Sequence, residues 1–168
     1  MTTDLKPAIK DSKTVIISGF PGIGKSKCTS LYQDGYNGDH IMDSDSSTFP
    51  KNNFPQNYIE HIYYALNVRQ PDILFVSSHE EVRAELVNHR WRFILAFPEL
   101  KLRGEYIQRY TNRESPEAFL KLCFDKWSEW INSCQAQKGC DKWELGAGEY
   151  LSDRLAIHIP LITQTPQL

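Results

Sequence analysis

Eight residues near the start of the chain, Gly19-Phe20-Pro21-Gly22-Ile23-Gly24-Lys25-Ser26, match the spacing G-x-x-x-x-G-K-[ST]. That spacing suits one kind of chemistry. The glycines let the backbone curl until successive N–H groups point inward at a phosphate, and a following helix adds its positive N-terminal end. Lys25 then reaches the β- and γ-oxygens, and the Ser26 hydroxyl takes Mg²⁺. Glycine usage of roughly 7%, multiplied through the pattern, gives on the order of one accidental match per hundred chains of this length. The expected cofactors are ATP and Mg²⁺, with contacts from Gly19, Gly22, Ile23, Gly24, Lys25, Ser26 and Lys27.

A second constellation lies in Asp43-Ser44-Asp45-Ser46. The two carboxylates are spaced i, i+2 and share a face if the segment is extended. One of them can hold Mg²⁺ together with Ser26 while the other takes or orients the proton of an attacking group. Asp43 is expected at the metal and also, with Asp45 and Ser46, at the acceptor. Asp and Ser are also typical turn and cap residues, but beside a phosphate loop the chemical reading is preferred. Asp72 precedes its apolar run, which puts it at the wrong end of a parallel sheet.

Two further groups of side chains are candidates. His79, in Ser77-Ser78-His79, either contacts the acceptor or caps the next helix. Arg83 is either a clamp on an anionic acceptor, since a guanidinium grips phosphate bidentately, or an exposed helix arginine. Lys101, Arg103, Arg109 and Arg113 fall in a charged segment containing Gly104, spanning 101–114. A mobile segment of this kind closes over a transferring phosphoryl group, with Arg109 and Arg113 favoured to stabilise its charge; a plain solvated loop is the alternative.

These residues must be positioned by the elements around them. Thr14–Ser18, 40–42, Ile73–Val76 and Phe93–Phe97 read as short apolar strands. Helices are expected from Lys25 to Gln33, Gln56 to Arg69 and Glu80 to His89, with Asp34–Gly38 as a turn. Ser115-Pro116-Glu117 opens a long helix with Ser as N-cap and Pro at the first helical position. Its stripe of Phe119, Leu122, Cys123, Trp127, Trp130, Ile131 and Cys134 reads as core. Leu155–Ile162 is expected to be the last strand. Strands alternating with helices give an α/β fold with a largely parallel sheet and helices on both faces.

The 168 residues suit one domain over 13–168, preceded by a polar arm at 1–12. A net charge of -2 offers no basic stripe for a nucleic-acid duplex, so the expected partner is a small-molecule phosphate acceptor. No run approaches about 18 apolar residues, so no membrane span is expected. The N-terminus lacks an apolar signal core. Cys28, Cys123, Cys134 and Cys140 form no CxxC pair, and free thiols in a reducing cytoplasm are expected.

Taken together, the loop Gly19–Ser26, the Asp43-Ser44-Asp45 element and the arginine-bearing segment resemble the P-loop nucleoside and nucleotide kinases. The likeness is strongest to the small phage deoxynucleoside monophosphate, or adenylate-type, kinases, and extends over roughly 13–162. It implies a three-layer fold with a five-stranded parallel sheet, an acceptor-binding segment at about 44–70 and a lid at about 101–114. It implies ATP-dependent transfer to a nucleoside monophosphate, a deoxynucleotide, giving the diphosphate, in a host cytoplasm if the source is a phage. Adenylate-type kinases carry Asp-Gly-x-Pro-Arg after the third strand, where this chain reads Ser77-Ser78-His79-Glu80-Glu81-Val82-Arg83. The acidic element also resembles shikimate-type and polynucleotide 5′-hydroxyl kinases, so a hydroxyl acceptor is the second reading. A nucleotide-binding regulatory module that transfers nothing is the third.

Overall fold

A computed structural model describes residues 12–33 and 41–158. Residues 1–11 of the arm expected at 1–12, the turn at 34–38, position 40 of the strand expected at 40–42 and the end of the expected last strand at 159–162 lie outside the described residues. Five strands form one sheet in the order β2-β3-β1-β4-β5: β1 (Val15–Gly19), β2 (Ile41–Asp43), β3 (Ile73–Ser77), β4 (Phe93–Pro98) and β5 (Asp141–Leu145). Every pairing is parallel. Ile17 at the centre of β1 stands between Phe75 and Ile94. All five residues of β3 are buried; alternate side chains point to opposite faces, so both faces of the sheet are covered.

Parallel strands need long crossovers, and helices supply them. α1 (Lys25–Gln33) leaves β1, and α2 (Gln56–Tyr64) continues through a π turn (Ala65–Arg69) toward β3. That turn ends at Gln70 in a left-handed conformation, φ 49°, just ahead of Pro71. α3 (Glu80–Asn88) joins β3 to β4, and α4 (Arg103–Asn112) with α5 (Glu117–Ala136) joins β4 to β5. From β1 the chain runs out to the β2 edge, returns through β3, and crosses β1 to reach β4. The strand order therefore reverses around β1, and in open α/β sheets ligands collect at that reversal, beyond the carboxyl ends of the strands. Gly19–Ser26 begins there.

Two expectations are corrected. The segment at 101–114 is not an irregular glycine-containing loop: a short 3₁₀ turn (Leu100–Leu102) leads into α4, and Tyr106 and Tyr110, at i and i+4, are fully buried. Burying two tyrosines on one stripe is what holds this charged stretch as a helix. The last element is helical as well: α6 (Leu151–His158) buries Leu151 and Leu155, four residues apart. The fifth strand is instead β5, in which only Trp143 and Leu145 turn inward between exposed charges.

Behind the glycine loop sits an aromatic cluster. Phe20 meets the rings of Tyr106 and Trp127 edge-on at 6.4 and 5.4 Å, the favoured geometry for aromatic pairs. The buried indole N–H of Trp127 donates to the Leu100 carbonyl at 2.7 Å. Of the expected α5 stripe, Cys123, Trp127, Ile131 and Cys134 are buried, whereas Leu122 is exposed and Trp130 only half-buried. All four cysteines are free. Among the described residues, no helix is long and apolar enough to cross a membrane.

Candidate active site

The glycine loop takes its shape from two residues with positive φ, Gly22 at 85° and Gly24 at 97°. A side chain is strained at either position. A Cβ on Gly22 would also come within 2.7 Å of the Tyr110 ring, and one on Gly24 within 3.2 Å of Tyr150. The loop is tied down from behind. Tyr110 donates its hydroxyl to the Pro21 carbonyl at 2.7 Å, and the Phe20 and Leu151 N–H groups donate to Ala96 and Ile23 carbonyls at 2.9 and 2.8 Å. The backbone thus approaches a cradle for an anion at the start of α1, the arrangement that helix N-termini offer to phosphate.

Lys25 folds back across this cradle and donates from Nζ to the Gly19 carbonyl at 2.7 Å. Burial lowers its pKa; Asp43 and Asp45 oppose that shift, and Arg113 adds to it. Ser26, one residue on, donates from Oγ to Asp43 Oδ2 at 3.4 Å. A hydroxyl and a carboxylate from different elements therefore meet at the mouth of the loop, the hard oxygen donors that Mg²⁺ prefers. Asp43 is exposed by area, yet the protein mass around it withdraws enough water to push its carboxyl pKa upward, against the pull of Lys25 and Ser26. A cation would relieve that penalty.

The acidic segment after β2 is held by Tyr58 of α2. Its buried hydroxyl donates to the Ser44 carbonyl at 2.7 Å and accepts from the Ser77 N–H at 3.0 Å, joining the ends of β2 and β3. Asp45 accepts from the Ser47 N–H at 2.9 Å and caps the 3₁₀ turn Ser46–Thr48. That backbone donor is the main cause of its lowered pKa, so Asp45 is a charged carboxylate at neutral pH. Turn capping and a place in the cleft coexist, since one carboxylate accepts several hydrogen bonds.

Asp43, Asp45, Ser46, His79, Arg109 and Arg113 all line one cleft of about 560 Å³ with the glycine loop. His79 occupies the N-cap position of α3 without a side-chain cap bond; its Nδ1 lies 3.0 Å from Ser77 Oγ instead. Arg113 is exposed at the cleft, 5.0 Å above the Tyr110 ring, with Nε donating to Ser115 Oγ at 3.1 Å. Lys101 pairs with Glu99 at 3.0 Å, and Arg103 lies 4.1 Å over the Phe124 ring; neither lines the cleft.

Arg83 and Arg109 differ from expectation. Arg83 does not line this cleft. It is buried and donates to the Ser78 and Ser133 carbonyls, Ser133 Oγ and Gln137 Oε1 at 2.7–3.2 Å, bracing α3 against α5. Arg109 lies on the helix α4 rather than in a loop. It donates to the Gly22 and Glu149 carbonyls, both at 3.0 Å, and pairs with Glu105 at 3.1 Å. Its guanidinium also lies 4.3 Å from the Tyr106 ring and 3.9 Å from the Tyr150 ring. Tyr58, which the sequence offers with Tyr63 and Tyr64 as a base-stacking candidate, instead ties β2 to β3; Tyr110 and Tyr150 carry no spacing that marks a tyrosine supporting a loop.

No protein-family model matches the chain, and no curated protein matches it. What the residues present can do is therefore read from their own geometry: a cradle for phosphates, a Ser–Asp pair for a divalent cation, a second carboxylate, and two cations able to face developing negative charge.

Proposed function

We propose that the chain is a cytoplasmic, ATP- and Mg²⁺-dependent phosphotransferase that acts on a hydroxyl acceptor. The observation that carries this reading is the meeting of Lys25, Ser26, Asp43 and Asp45 in one cleft at the strand-order reversal. The backbone of Gly22–Ser26 holds the nucleotide phosphates. Ser26 and Asp43 hold Mg²⁺, which when bound neutralises phosphate charge. Asp45 accepts the proton of the acceptor hydroxyl. The acceptor oxygen bonds to the γ-phosphorus as the bond from that phosphorus to the β–γ bridging oxygen breaks, and ADP leaves. Lys25 and Arg113 face the charge that spreads over the equatorial oxygens.

The choice of a hydroxyl over a nucleoside monophosphate rests on where the cations lie. A phosphate acceptor needs its own cationic grip. The cations lining the cleft are Lys25, Lys27, Arg109 and Arg113, on the glycine loop, at the start of α1, and along α4 and its end. The other polar groups lining the cleft include Asp45, Ser46, Ser47, Ser78 and His79, and Arg83, for which the sequence offers a clamp on the acceptor as one reading, spends its donors inside the protein.

The test is a coupled assay of ADP release with two acceptor panels, nucleosides and 5′-hydroxyl oligonucleotides in one, nucleoside monophosphates in the other. Turnover with the first panel is expected. Transfer confined to the monophosphates would restore the adenylate-type reading. ATP binding with no transfer to either panel would make the chain a nucleotide-binding module.

A further inference from the structure

Ser44, the residue between the two carboxylates, is buried and has each of its polar groups engaged. Its N–H donates to the Phe75 carbonyl of β3 at 3.0 Å, and its own carbonyl accepts from Tyr58 at 2.7 Å. Its hydroxyl meets His61 Nε2 at 2.9 Å. Tyr58 and His61 stand three positions apart on α2, on one face of that helix, and so reach the same serine. His61 is half-buried and does not line the cleft.

The same histidine reaches the far side of Asp45. Asp45 and Phe49 are the first and last caps of the 3₁₀ turn Ser46–Thr48. The Phe49 ring lies 5.2 Å from the His61 ring and, edge-on, 5.0 Å from the Tyr58 ring. His61 and Tyr58 are themselves stacked at 6.2 Å and 24°. Asp45 is therefore bracketed: the residue before it is hydrogen-bonded to His61, and the end of the turn after it is packed on the same ring. Burial lowers the His61 pKa, so the ring is neutral at pH 7. A neutral imidazole nitrogen donates or accepts according to tautomer, and a hydroxyl does either, so both tautomers keep the bond to Ser44.

A carboxylate that takes a proton during transfer must act from the right place. A displacement of about 1 Å at a reacting group can cost on the order of 10²-fold in rate. The bond that the Asp45 side chain accepts from the Ser47 N–H fixes it relative to its own turn. Ser44 and Phe49 fix that turn relative to α2. We infer that His61 is a positioning residue for Asp45, holding through Ser44 and Phe49 the place from which that carboxylate receives the acceptor's proton. The inference rests on the phosphotransferase reading and adds to it a residue outside the cleft.

Three variants test this, each made with and without Asp45→Asn. His61→Phe keeps a ring against Phe49 and Tyr58 but loses the bond to Ser44. His61→Gln offers Ser44 an amide from near the place of Nε2. Ser44→Ala removes the same bond from its other end, by a deletion small enough to leave the fold intact. Single-turnover transfer from ATP to the free nucleosides and 5′-hydroxyl oligonucleotide of the first panel is measured per folded molecule, with ATP affinity by calorimetry. His61→Phe and Ser44→Ala are expected to transfer about tenfold or more slower than the parent, with ATP affinity within twofold, and His61→Gln to recover to within about threefold. Once Asp45 is Asn, each is expected to change the rate less than twofold, since no base is left to place. Transfer by His61→Phe or Ser44→Ala at the parent's rate would overturn the inference and leave the phosphotransferase reading standing. An equal loss with and without the Asp45 carboxylate would also overturn it, making His61 a support of the fold alone. A parent that binds ATP but transfers to neither panel would overturn the reading and the inference together.

Discussion

Arg109 donates through Nη1 to the carbonyl oxygen of Gly22 at 3.0 Å, so a residue in the middle of α4 holds the turn of a loop 87 positions earlier in the chain. The same guanidinium reaches the Glu149 carbonyl and the Glu105 carboxylate. Its role is to fix the glycine loop, between the rings of Tyr106 and Tyr150.

Arg109→Met should therefore cost stability as well as activity. It leaves Glu105, whose Oε2 is buried without a hydrogen-bond partner, facing no cation. Breaking a fully buried pair costs about 3–5 kcal/mol; with Glu105 29% exposed, roughly 2 kcal/mol is expected. For a chain of this length that lowers Tm by about 4–8 °C, with a raised KM for ATP. A thermal melt and ATP titration check both; an unchanged melt would show that the guanidinium stabilises nothing.

Lys25→Met should separate catalysis from folding. The ammonium is desolvated and has one backbone acceptor, so removing it relieves a cost of burial. Turnover should fall on the order of 10²-fold or more, as for other lost electrostatic donors, while Tm does not fall. Single-turnover transfer and a melt measure the two effects.

Asp45→Asn keeps an acceptor for the Ser47 N–H, and Asn caps about as well as Asp, so Tm should stay within about 0.5 kcal/mol equivalent of the parent. The charge is lost, and transfer should drop by roughly 10²–10⁴-fold, the usual worth of a general base. ATP affinity should hold. Full transfer by this variant would reduce Asp45 to a turn cap.

Tyr58→Phe removes one hydroxyl that serves two buried backbone groups, the Ser44 carbonyl and the Ser77 N–H. Leaving them without a partner should cost about 1–3 kcal/mol. The end of β2 then loses its tie to β3, so turnover should fall further than the melt alone explains. Activity per folded molecule, measured well below Tm, reads that difference.

Burial pushes the thiols of Cys28, Cys123 and Cys134 up to about 11, and raises half-buried Cys140 as well. At pH 8 a thiol of that kind is ionised in roughly one molecule per 10³. Cys140 should react first with a disulfide reagent, and all four only on unfolding. The unfolded chain releases these protons near pH 8.5 and the folded one holds them higher. Stability from this source is complete below about pH 8.5 and declines as pH rises toward 11. Denaturant melts across pH 7–10.5 follow it.

The central strands were legible because a strand buried on both faces must be apolar throughout, as Ile73–Val76 is. The edge strand Asp141–Leu145 was not, because only Trp143 and Leu145 meet the core and the charges between them look like loop. Leu155–Ile162 misled for the opposite reason: apolar residues crowd together, and the i, i+4 pair Leu151 and Leu155 that marks the helix is the weaker signal. The glycine loop stood out as a candidate site because its residues are neighbours in sequence. The fate of Arg83 was not, because its partners Ser133 and Gln137 lie 50 and 54 positions away.

Among the described residues the sheet has two open margins, and each is blunt in its own way. β2 offers three residues, too few for another chain to pair with at length. β5 sets the exposed charges of Asp141, Lys142 and Glu144 along the other margin. Short strands and charged borders are how sheets avoid growing by addition of foreign strands. Among the described residues, both margins thus offer little for a strand of another copy to pair with.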